Sequence, residues 1–221
     1  MIGCDLSAPA AEATVQEAHA AGLELVAHAP CDVTDPSSVQ DFFDLVGQCN
    51  GGVDILLNAA ATAVFAWIEE MSFADWRRTL AGELDGVFLT CKAAWPHLIR
   101  RGGGSIINFA SANAYVALKG SPALAHCAGK GGVLAMTRQL AMEGGPHCIR
   151  ANTISPGMIV TGATRSVLEQ PGFLDNVLEK TMIRRVGQPE DIAWCATYLA
   201  SDESSWVTAA DFSIDGGATA W

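Results

Sequence analysis

The sequence is poor in basic residues and has no long apolar run. Its 221 residues include 13 Lys and Arg against 24 Asp and Glu, a formal net charge of −11 at pH 7. Such a surface repels the phosphates of nucleic acids and anionic lipid headgroups, so we expect neither as a partner. No apolar run approaches the ~20 residues that span a bilayer, and the N-terminus lacks the features of a signal peptide. These absences predict a cytoplasmic protein.

Paired cysteines and metal-ligand spacings are also lacking. The seven cysteines are scattered and never form a Cys-x-x-Cys pair, which predicts reduced thiols. The histidines and cysteines show no spacing typical of metal ligands, so we expect no metal site. Apolar residues are plentiful, at half of the chain. A chain of this length and composition can bury a full core, and we expect residues 1–221 to form one domain.

Short apolar runs alternate with longer amphipathic stretches, a pattern that predicts the α/β class, with a parallel sheet flanked by helices. The candidate strands are 2–4, 23–27, 53–57, 105–109, 150–154 and 212–214. The candidate helices are 8–20, 37–48, 74–99, 123–142 and 189–200. Pro96 should end or kink the third helix. Residues 158–188 are expected to be irregular, as in a flap over a substrate cleft.

One segment carries residues suited to proton transfer. Ser111 closely follows the apolar strand that ends at Phe109, and His126 and Lys130 follow it one helical turn apart. This arrangement resembles the active-site stretch of the short-chain dehydrogenase/reductase family, whose pattern is Ser…Tyr-x-x-x-Lys. Histidine occupies the tyrosine position here. The resemblance implies that Ser111 polarises a substrate oxygen, that His126 exchanges its proton, and that Lys130 holds the nicotinamide ribose.

The resemblance extends over nearly the whole chain. It is carried by the order and spacing of Gly3-Cys4-Asp5-Leu6, Cys31-Asp32-Val33-Thr34-Asp35, Asn58-Ala59-Ala60-Ala61, Asn152-Thr153-Ile154-Ser155-Pro156-Gly157, Arg185-Val186-Gly187-Gln188-Pro189-Glu190 and Asp215-Gly216-Gly217. It implies a Rossmann-like doubly wound sheet, in the family order 3-2-1-4-5-6-7, and a homodimer or homotetramer. The cofactor-binding residues that it implies are Asp5, Asp32, Val33, Asn58, Lys130, Pro156, Gly157 and Thr161. The acid at Asp5 implies NAD rather than NADP, because it repels a 2′-phosphate.

The first departure from the family pattern is at the beginning of the chain. Residue 1 falls at the family's second strand, so the first strand, the glycine-rich loop and the first helix are missing. We expect an apolar gap in the sheet, with unpaired backbone groups along it. Two explanations stay open at this point. The start is misassigned or the chain is truncated, or the protein has abandoned the dinucleotide.

The other departures are His126 and Glu83. A neutral imidazole can act as a general base near neutral pH, and the alternative is a dead site with a surface histidine. Glu83 falls where the family has an asparagine, and we expect it either to pair with Lys130 or to point to solvent. Ser111, His126 and Glu83 are also the residue types of a nucleophile triad. Fold-level precedent does not favour that interpretation.

The sequence therefore leaves three hypotheses for function. The first is an oxidoreductase that acts with NAD(H) on an apolar alcohol or carbonyl compound. The second is cofactor-independent proton chemistry by His126, such as elimination, hydration or isomerisation next to a carbonyl group. The third is a non-catalytic partner subunit. Ser111, His126, Lys130 and Glu83 are the candidate catalytic residues.

Overall fold

The computed structural model describes residues 1–221 and contains six strands, all of them in parallel pairs. Strands β1 (Ile2–Cys4) and β2 (Val26–His28) form a two-stranded sheet. Strands β3 (Ile55–Asn58), β4 (Gly104–Phe109), β5 (Ile149–Pro156) and β6 (Asp211–Ile214) form a four-stranded sheet in that order. The α/β class predicted from the alternating pattern is confirmed.

Eight α-helices connect or flank the strands. They are α1 (Ala8–Ala20), α2 (Pro36–Asn50), α3 (Phe73–Leu80), α4 (Gly86–Arg101), α5 (Leu124–Gly144), α6 (Arg165–Leu168), α7 (Phe173–Lys180) and α8 (Pro189–Ala200). Side chains of Ser7, Asp35 and Ser72 accept hydrogen bonds from backbone N–H groups at the starts of α1, α2 and α3. These caps satisfy donors that a helix start leaves unpaired. None of the helices combines the length and the apolar character needed to cross a membrane.

The gap expected in the sheet lies between β1 and β3. The two strands belong to different sheets, and residues of both line one cavity of about 640 Å³. Most of its lining is apolar, including Phe42, Val46 and Val87 from the helices. Ile55 and Leu57 of β3 are each 48% exposed, although they lie in an apolar strand. The order β2-β1, gap, β3-β4-β5-β6 is the family order without its first strand.

Strand β4 is buried on both faces. Ile106 belongs to the main core cluster, which includes Phe43 of α2 and Leu98 of α4. Its neighbour Ile107 belongs to a second cluster with Leu199 of α8. Consecutive side chains of a strand point to opposite faces, so a strand covered on both sides is apolar at every position. This burial accounts for the continuous apolar run in the sequence and holds the end of β4 rigidly.

The predicted helix 74–99 is wrong in detail. It is divided into α3, a π-helical turn (Ala81–Asp85) and α4. Pro96 does not end α4, which continues to Arg101. The hydrogen bond that proline cannot donate would go to the carbonyl of Lys92. Both residues are exposed, so water can satisfy that carbonyl.

Two further boundaries differ from the prediction. The region 158–188 is not wholly irregular, because α6 and α7 form within it. The strand predicted at 23–27 lies at Val26–His28 instead. Leu23 lies just beyond the end of α1, where its N–H donates to the carbonyl of Ala18. Backbone hydrogen bonds that close a helix are not visible as a hydrophobic pattern.

A buried histidine in α4 predicts a pH dependence of stability. The ring of His97 is buried, lies 6.0 Å from the ring of Phe43, and has no partner for Nδ1. Burial lowers its pKa, the positive charge of Arg100 adds to the effect, and Asp44 opposes it. Between the folded and unfolded pKa values the unfolded chain therefore binds more protons. The stability that neutral His97 contributes is present above the pKa of His97 in the unfolded chain. It is lost as the pH falls through the pKa of His97 in the folded protein.

We expect the melting temperature to fall as pH decreases below roughly 6.5, the ordinary pKa of histidine. His97→Leu should flatten this part of the profile, because leucine takes up no proton. The exposed His147 supplies the matched control, His147→Leu. Thermal melts followed by circular dichroism over a pH series test this expectation. Parallel profiles for the wild type and His97→Leu would contradict it.

Candidate active site

Ser111 lies just beyond the carboxyl end of β4. Its backbone is extended, with φ −166° and ψ 155°, and it caps the 3₁₀ turn Ala112–Ala114. Its Oγ accepts a hydrogen bond of 3.1 Å from the N–H of Asn113. The hydroxyl oxygen is therefore fixed by its own turn at the carboxyl edge of the sheet, where ligands of open α/β sheets bind.

His126 lies in the first turn of α5 and contacts two of the predicted catalytic side chains. Its Nε2 is 3.3 Å from Oγ of Ser111, and its Nδ1 is 2.6 Å from Oε1 of Glu83. The side chain is 18% exposed, so the hypothesis of a surface histidine is wrong. Phe65 packs against the imidazole, with 5.6 Å between ring centroids. Each ring nitrogen of His126 therefore contacts a different candidate catalytic side chain.

The π-helical turn brings Glu83 to His126. Its side chain is 3% exposed, and Oε2 is buried without a hydrogen-bond partner. Gly129 of α5 makes room for it, because a Cβ at that position would lie 3.0 Å from Oε2. The expectation that Glu83 points to solvent is wrong. Its pairing with Lys130 is wrong too, since the carboxylate makes its hydrogen bond with His126 instead.

Lys130 lies one turn beyond His126 on α5. It is 6% exposed, and Nζ donates a hydrogen bond of 3.1 Å to the carbonyl of Phe109. Burial lowers its pKa, and the negative charge of Glu83 opposes that shift. The ammonium is thus held against the end of β4, on the same helix as the imidazole.

The hydrogen bonds assign the tautomer of His126. An ionised carboxylate only accepts, so Glu83 takes the proton-bearing Nδ1 as its donor. This leaves Nε2 as an acceptor for the hydroxyl of Ser111, or for a substrate hydroxyl in the same place. A carboxylate in this position also stabilises the imidazolium that forms when Nε2 takes up a proton. The three side chains are arranged as a unit that can remove and return one proton.

Apart from Lys130 of α5, the predicted cofactor residues lie at strand ends or in the segments that follow them. Asp5 follows β1, and its Oδ1 accepts a hydrogen bond from the N–H of Ser7 at 2.7 Å. Asp32 follows β2, and its Oδ1 accepts both the N–H and the hydroxyl of Thr34. One oxygen of each carboxylate has no partner within the chain. Both carboxylates can therefore still accept from a ligand.

Asn58, at the end of β3, is committed to a buried polar network. It accepts from the Thr90 hydroxyl at 2.8 Å and donates to Oδ1 of Asn108, also at 2.8 Å. Asn108 in turn donates to Oγ1 of Thr137 at 2.9 Å. The network joins β3 and β4 to α4 and α5, and the sequence reasoning missed Thr90, Asn108 and Thr137. Only the backbone of Asn58 is left to contact a ligand.

The remaining cofactor candidates make close backbone contacts. Val33 packs against Gly86, where a Cβ would lie 3.1 Å from the valine Cγ2. Pro156 ends β5, and a Cβ on Gly157 would lie 2.8 Å from Cα of Asp215. Thr161 lies in the following loop and donates its N–H to Oγ1 of Thr164. The structure brings Ser111, His126, Lys130 and Glu83 together and leaves the cofactor candidates distributed along the sheet edge.

Asp211 is a further polar centre that the sequence reasoning missed. Its Oδ1 accepts the hydroxyls of Thr153 and Ser155, and its Oδ2 accepts the hydroxyl of Tyr115 at 3.0 Å. Burial and this carboxylate raise the pKa of Tyr115 to about 12. The phenol proton of Tyr115 is therefore held by Asp211. No motif in the sequence pointed to this contact, because its members are distant along the chain.

Comparison with known proteins shows the family of this chain. A family model described as enoyl-(acyl carrier protein) reductase matches residues 1–219. The chain belongs to the short-chain dehydrogenase/reductase family. It is 40% identical over 218 residues to a D-threitol dehydrogenase of Mycolicibacterium smegmatis, covering 97% of this chain and 81% of that protein. The family membership that the sequence motifs indicated is confirmed.

Solved structures of short-chain dehydrogenases match the fold closely. A short-chain type dehydrogenase/reductase from Mycobacterium marinum has a TM-score of 0.92 at 30% identity, covering 99% of this chain and 85% of that one. A 7α-hydroxysteroid dehydrogenase in complex with NADH and 7-oxo glycochenodeoxycholic acid has a TM-score of 0.90 at 31% identity, covering 98% and 83%. The Rossmann-like sheet of the short-chain dehydrogenase type is therefore confirmed.

Proposed function

We propose that this short-chain dehydrogenase transfers hydride between NAD(H) and the carbon of a small, apolar alcohol or carbonyl compound. The contact between Ser111 and His126 carries the proposal. Oγ and Nε2 lie 3.3 Å apart at the carboxyl end of β4, so one substrate oxygen can accept from the hydroxyl and exchange a proton with the imidazole. The proposal is supported by the family, because the matching family model and the D-threitol dehydrogenase relative are both described as oxidoreductases.

Ser111, His126, Glu83 and Lys130 have different roles in the proposed proton transfer. Ser111 orients the substrate oxygen, and Nε2 of His126 takes its proton as an alcohol is oxidised or returns one as a carbonyl is reduced. Glu83 stabilises the imidazolium during that exchange, since its carboxylate is 2.6 Å from Nδ1. Bound NAD supplies the acceptor or donor of the hydride. Lys130 adds a buried positive charge one turn away, which favours a developing alkoxide.

The chain fits the two ends of a dinucleotide. Asp5 is exposed and has one carboxylate oxygen without a partner in the chain, which suits two ribose hydroxyls. Pro156 and Gly157 form the backbone at the end of β5, the segment proposed to contact the nicotinamide, and Thr161 follows shortly after in the same loop. Between these ends, residues 1–221 supply no glycine-rich turn after a central strand to hold the pyrophosphate.

The preference for NAD over NADP is tested by titrating the chain with NADH and NADPH and following the coenzyme fluorescence. We expect NADH to bind at least about tenfold more tightly, because the carboxylate of Asp5 repels a 2′-phosphate. Asp5→Ala should remove the preference, whereas Glu24→Ala, which removes another exposed carboxylate, should keep it. Absence of any binding at millimolar coenzyme would overturn the proposed function.

A second candidate is cofactor-independent proton chemistry next to a carbonyl group. The observation that favours it is the completeness of the His126–Glu83 pair, which needs no other group to act as a base. Exchange of solvent deuterium into a carbonyl compound without coenzyme would support it. If His126→Phe left that exchange unchanged, the candidate would be excluded.

The assembly of the protein stays a prediction. We propose one domain over residues 1–221, and a homodimer or homotetramer formed through α4 and α5, as the family resemblance implies. Phe88, Leu124 and Met142 on these helices are at least 43% exposed, which supports a contact there. Sedimentation equilibrium measures the oligomeric state, and co-purification with a longer relative instead of self-association would favour a partner subunit.

A further inference from the structure

We propose that the same cluster of side chains hydrolyses short-chain carboxylic esters, with Ser111 as the nucleophile and without any dinucleotide. This reaction goes beyond the hydride transfer proposed above. The sequence reasoning set a nucleophile triad aside on fold-level precedent, yet the structure places the three side chains in series. A serine hydroxyl is activated when it is hydrogen-bonded to a base that a third group holds in orientation.

The contacts meet the requirements of a Ser-His-Glu triad. Ser111 Oγ and His126 Nε2 are within reach of each other at 3.3 Å, and Glu83 binds Nδ1 at 2.6 Å. Unrelated hydrolases use this constellation with aspartate or glutamate as the third member. The hydrogen bond from Asn113 fixes the serine oxygen and leaves its proton free to point to Nε2. The nucleophile and its base are thus in place before substrate binds.

Donors for an oxyanion are available beside the nucleophile. The backbone N–H groups of Ser111 and Ala112 donate to no acceptor in the chain. The N–H of the residue after a nucleophilic serine is a usual oxyanion donor in hydrolases. A tetrahedral intermediate on Ser111 would therefore find an unsatisfied donor on its own turn.

The surroundings define the class of ester. Phe65 is 54% exposed and packs against the imidazole, so it offers an apolar wall to an acyl chain or an alcohol group. The chain carries a formal net charge of −11, which disfavours anionic acyl groups. A neutral ester with a small acyl group fits these features.

The reaction proceeds in two balanced steps. The serine oxygen forms a bond to the ester carbon while its proton passes to Nε2, and the tetrahedral intermediate then expels the alcohol, which takes that proton. Water next gives a proton to Nε2 and adds to the acyl carbon. The C–O bond to Ser111 breaks, and the serine oxygen regains the proton from the imidazolium. Ester and water become carboxylic acid and alcohol, with no oxidation or reduction.

Labelling with an alkyl fluorophosphonate tests the inference without a known substrate. The probe forms a bond between phosphorus and an activated serine oxygen and loses fluoride, and peptide mass spectrometry locates the site. We expect the full chain to be labelled at Ser111 in the absence of NAD. His126→Phe should slow labelling at least about 100-fold, and Glu83→Gln at least about tenfold.

Controls separate this inference from the proposed function. Ser205→Ala removes another serine hydroxyl and should label at the wild-type rate, as should Cys127→Ala beside the imidazole. Hydrolysis of p-nitrophenyl acetate should fall with Ser111→Ala and be retained in both controls. No labelling at Ser111, or equal hydrolysis by Ser111→Ala and wild type, would overturn the hydrolase. Labelling and ester hydrolysis test only the hydrolase, and the NADH titration tests only the dehydrogenase. One proposal can therefore be contradicted while the other stands.

Discussion

Replacing His126 with leucine is expected to lower the free energy of unfolding by about 3 kcal/mol, the upper end for leaving a buried acceptor without its donor, because this acceptor is a carboxylate. Glu83 is 2% exposed, and its Oε2 has no hydrogen-bond partner even in the wild type. Leucine removes the donor to the other oxygen, so the folded protein must bury a carboxylate without any hydrogen bond. Loss of packing against Phe65 adds a smaller amount.

His126→Asn is the matched control for this effect. The amide nitrogen of asparagine can take the place of Nδ1 and donate to Glu83, but it cannot exchange protons at neutral pH. We therefore expect His126→Asn to keep most of the stability and to lose the activity. The double variant His126→Leu/Glu83→Leu should recover part of the stability that His126→Leu loses. Urea unfolding of the four proteins measures these values, and equal stability of His126→Leu and wild type would show that the pair contributes nothing.

Replacing Glu83 with glutamine is expected to slow proton transfer by about 10²- to 10⁴-fold, with KM nearly unchanged. Glutamine has the same shape, so the imidazole keeps its neighbours. It cannot stabilise the imidazolium as a carboxylate does, and its NH₂ group can force the wrong tautomer. Because the effect falls on the transition state, it should appear in kcat.

Asp85→Asn provides the control for Glu83→Gln. Asp85 is in the same π-helical turn and is exposed, so its change removes an equal charge without touching the imidazole. We expect its turnover to stay within about twofold of wild type, as for ordinary surface substitutions. Steady-state hydrolysis of p-nitrophenyl acetate, or oxidation of an alcohol substrate with NAD, gives the comparison. Equal losses in Asp85→Asn and Glu83→Gln would mean that net charge, and not contact with His126, matters.

The sequence predicted the strands well because burial leaves a pattern. Ile106 and Ile107 are both fully buried on opposite faces of β4, and this produces the apolar run that marked the strand. The predicted gap between β1 and β3 also follows from which strands are present. Ser111, His126 and Lys130 were found through their spacing, since a strand end and one helical turn place them together.

The partner of Glu83 was not predictable in the same way. Its direction depends on the π-helical turn 81–85, where one extra residue rotates the side chains relative to a regular helix. Gly129, which makes room for the carboxylate, lies 46 positions further along the chain in another helix. The buried contacts of Asn108 and Asp211 likewise join distant segments. Such contacts depend on packing and leave no local signal.

The central claim is that Ser111, His126 and Glu83 form one hydrogen-bonded unit. Proton NMR of the full chain in water tests it most directly, because a strong Nδ1–H to carboxylate hydrogen bond shifts the imidazole N–H resonance far downfield and slows its exchange. We expect one such resonance in the wild type. It should vanish in His126→Phe, move upfield in Glu83→Gln and persist in Asp85→Asn. A spectrum without the resonance, or a resonance that Glu83→Gln leaves unchanged, would contradict the account.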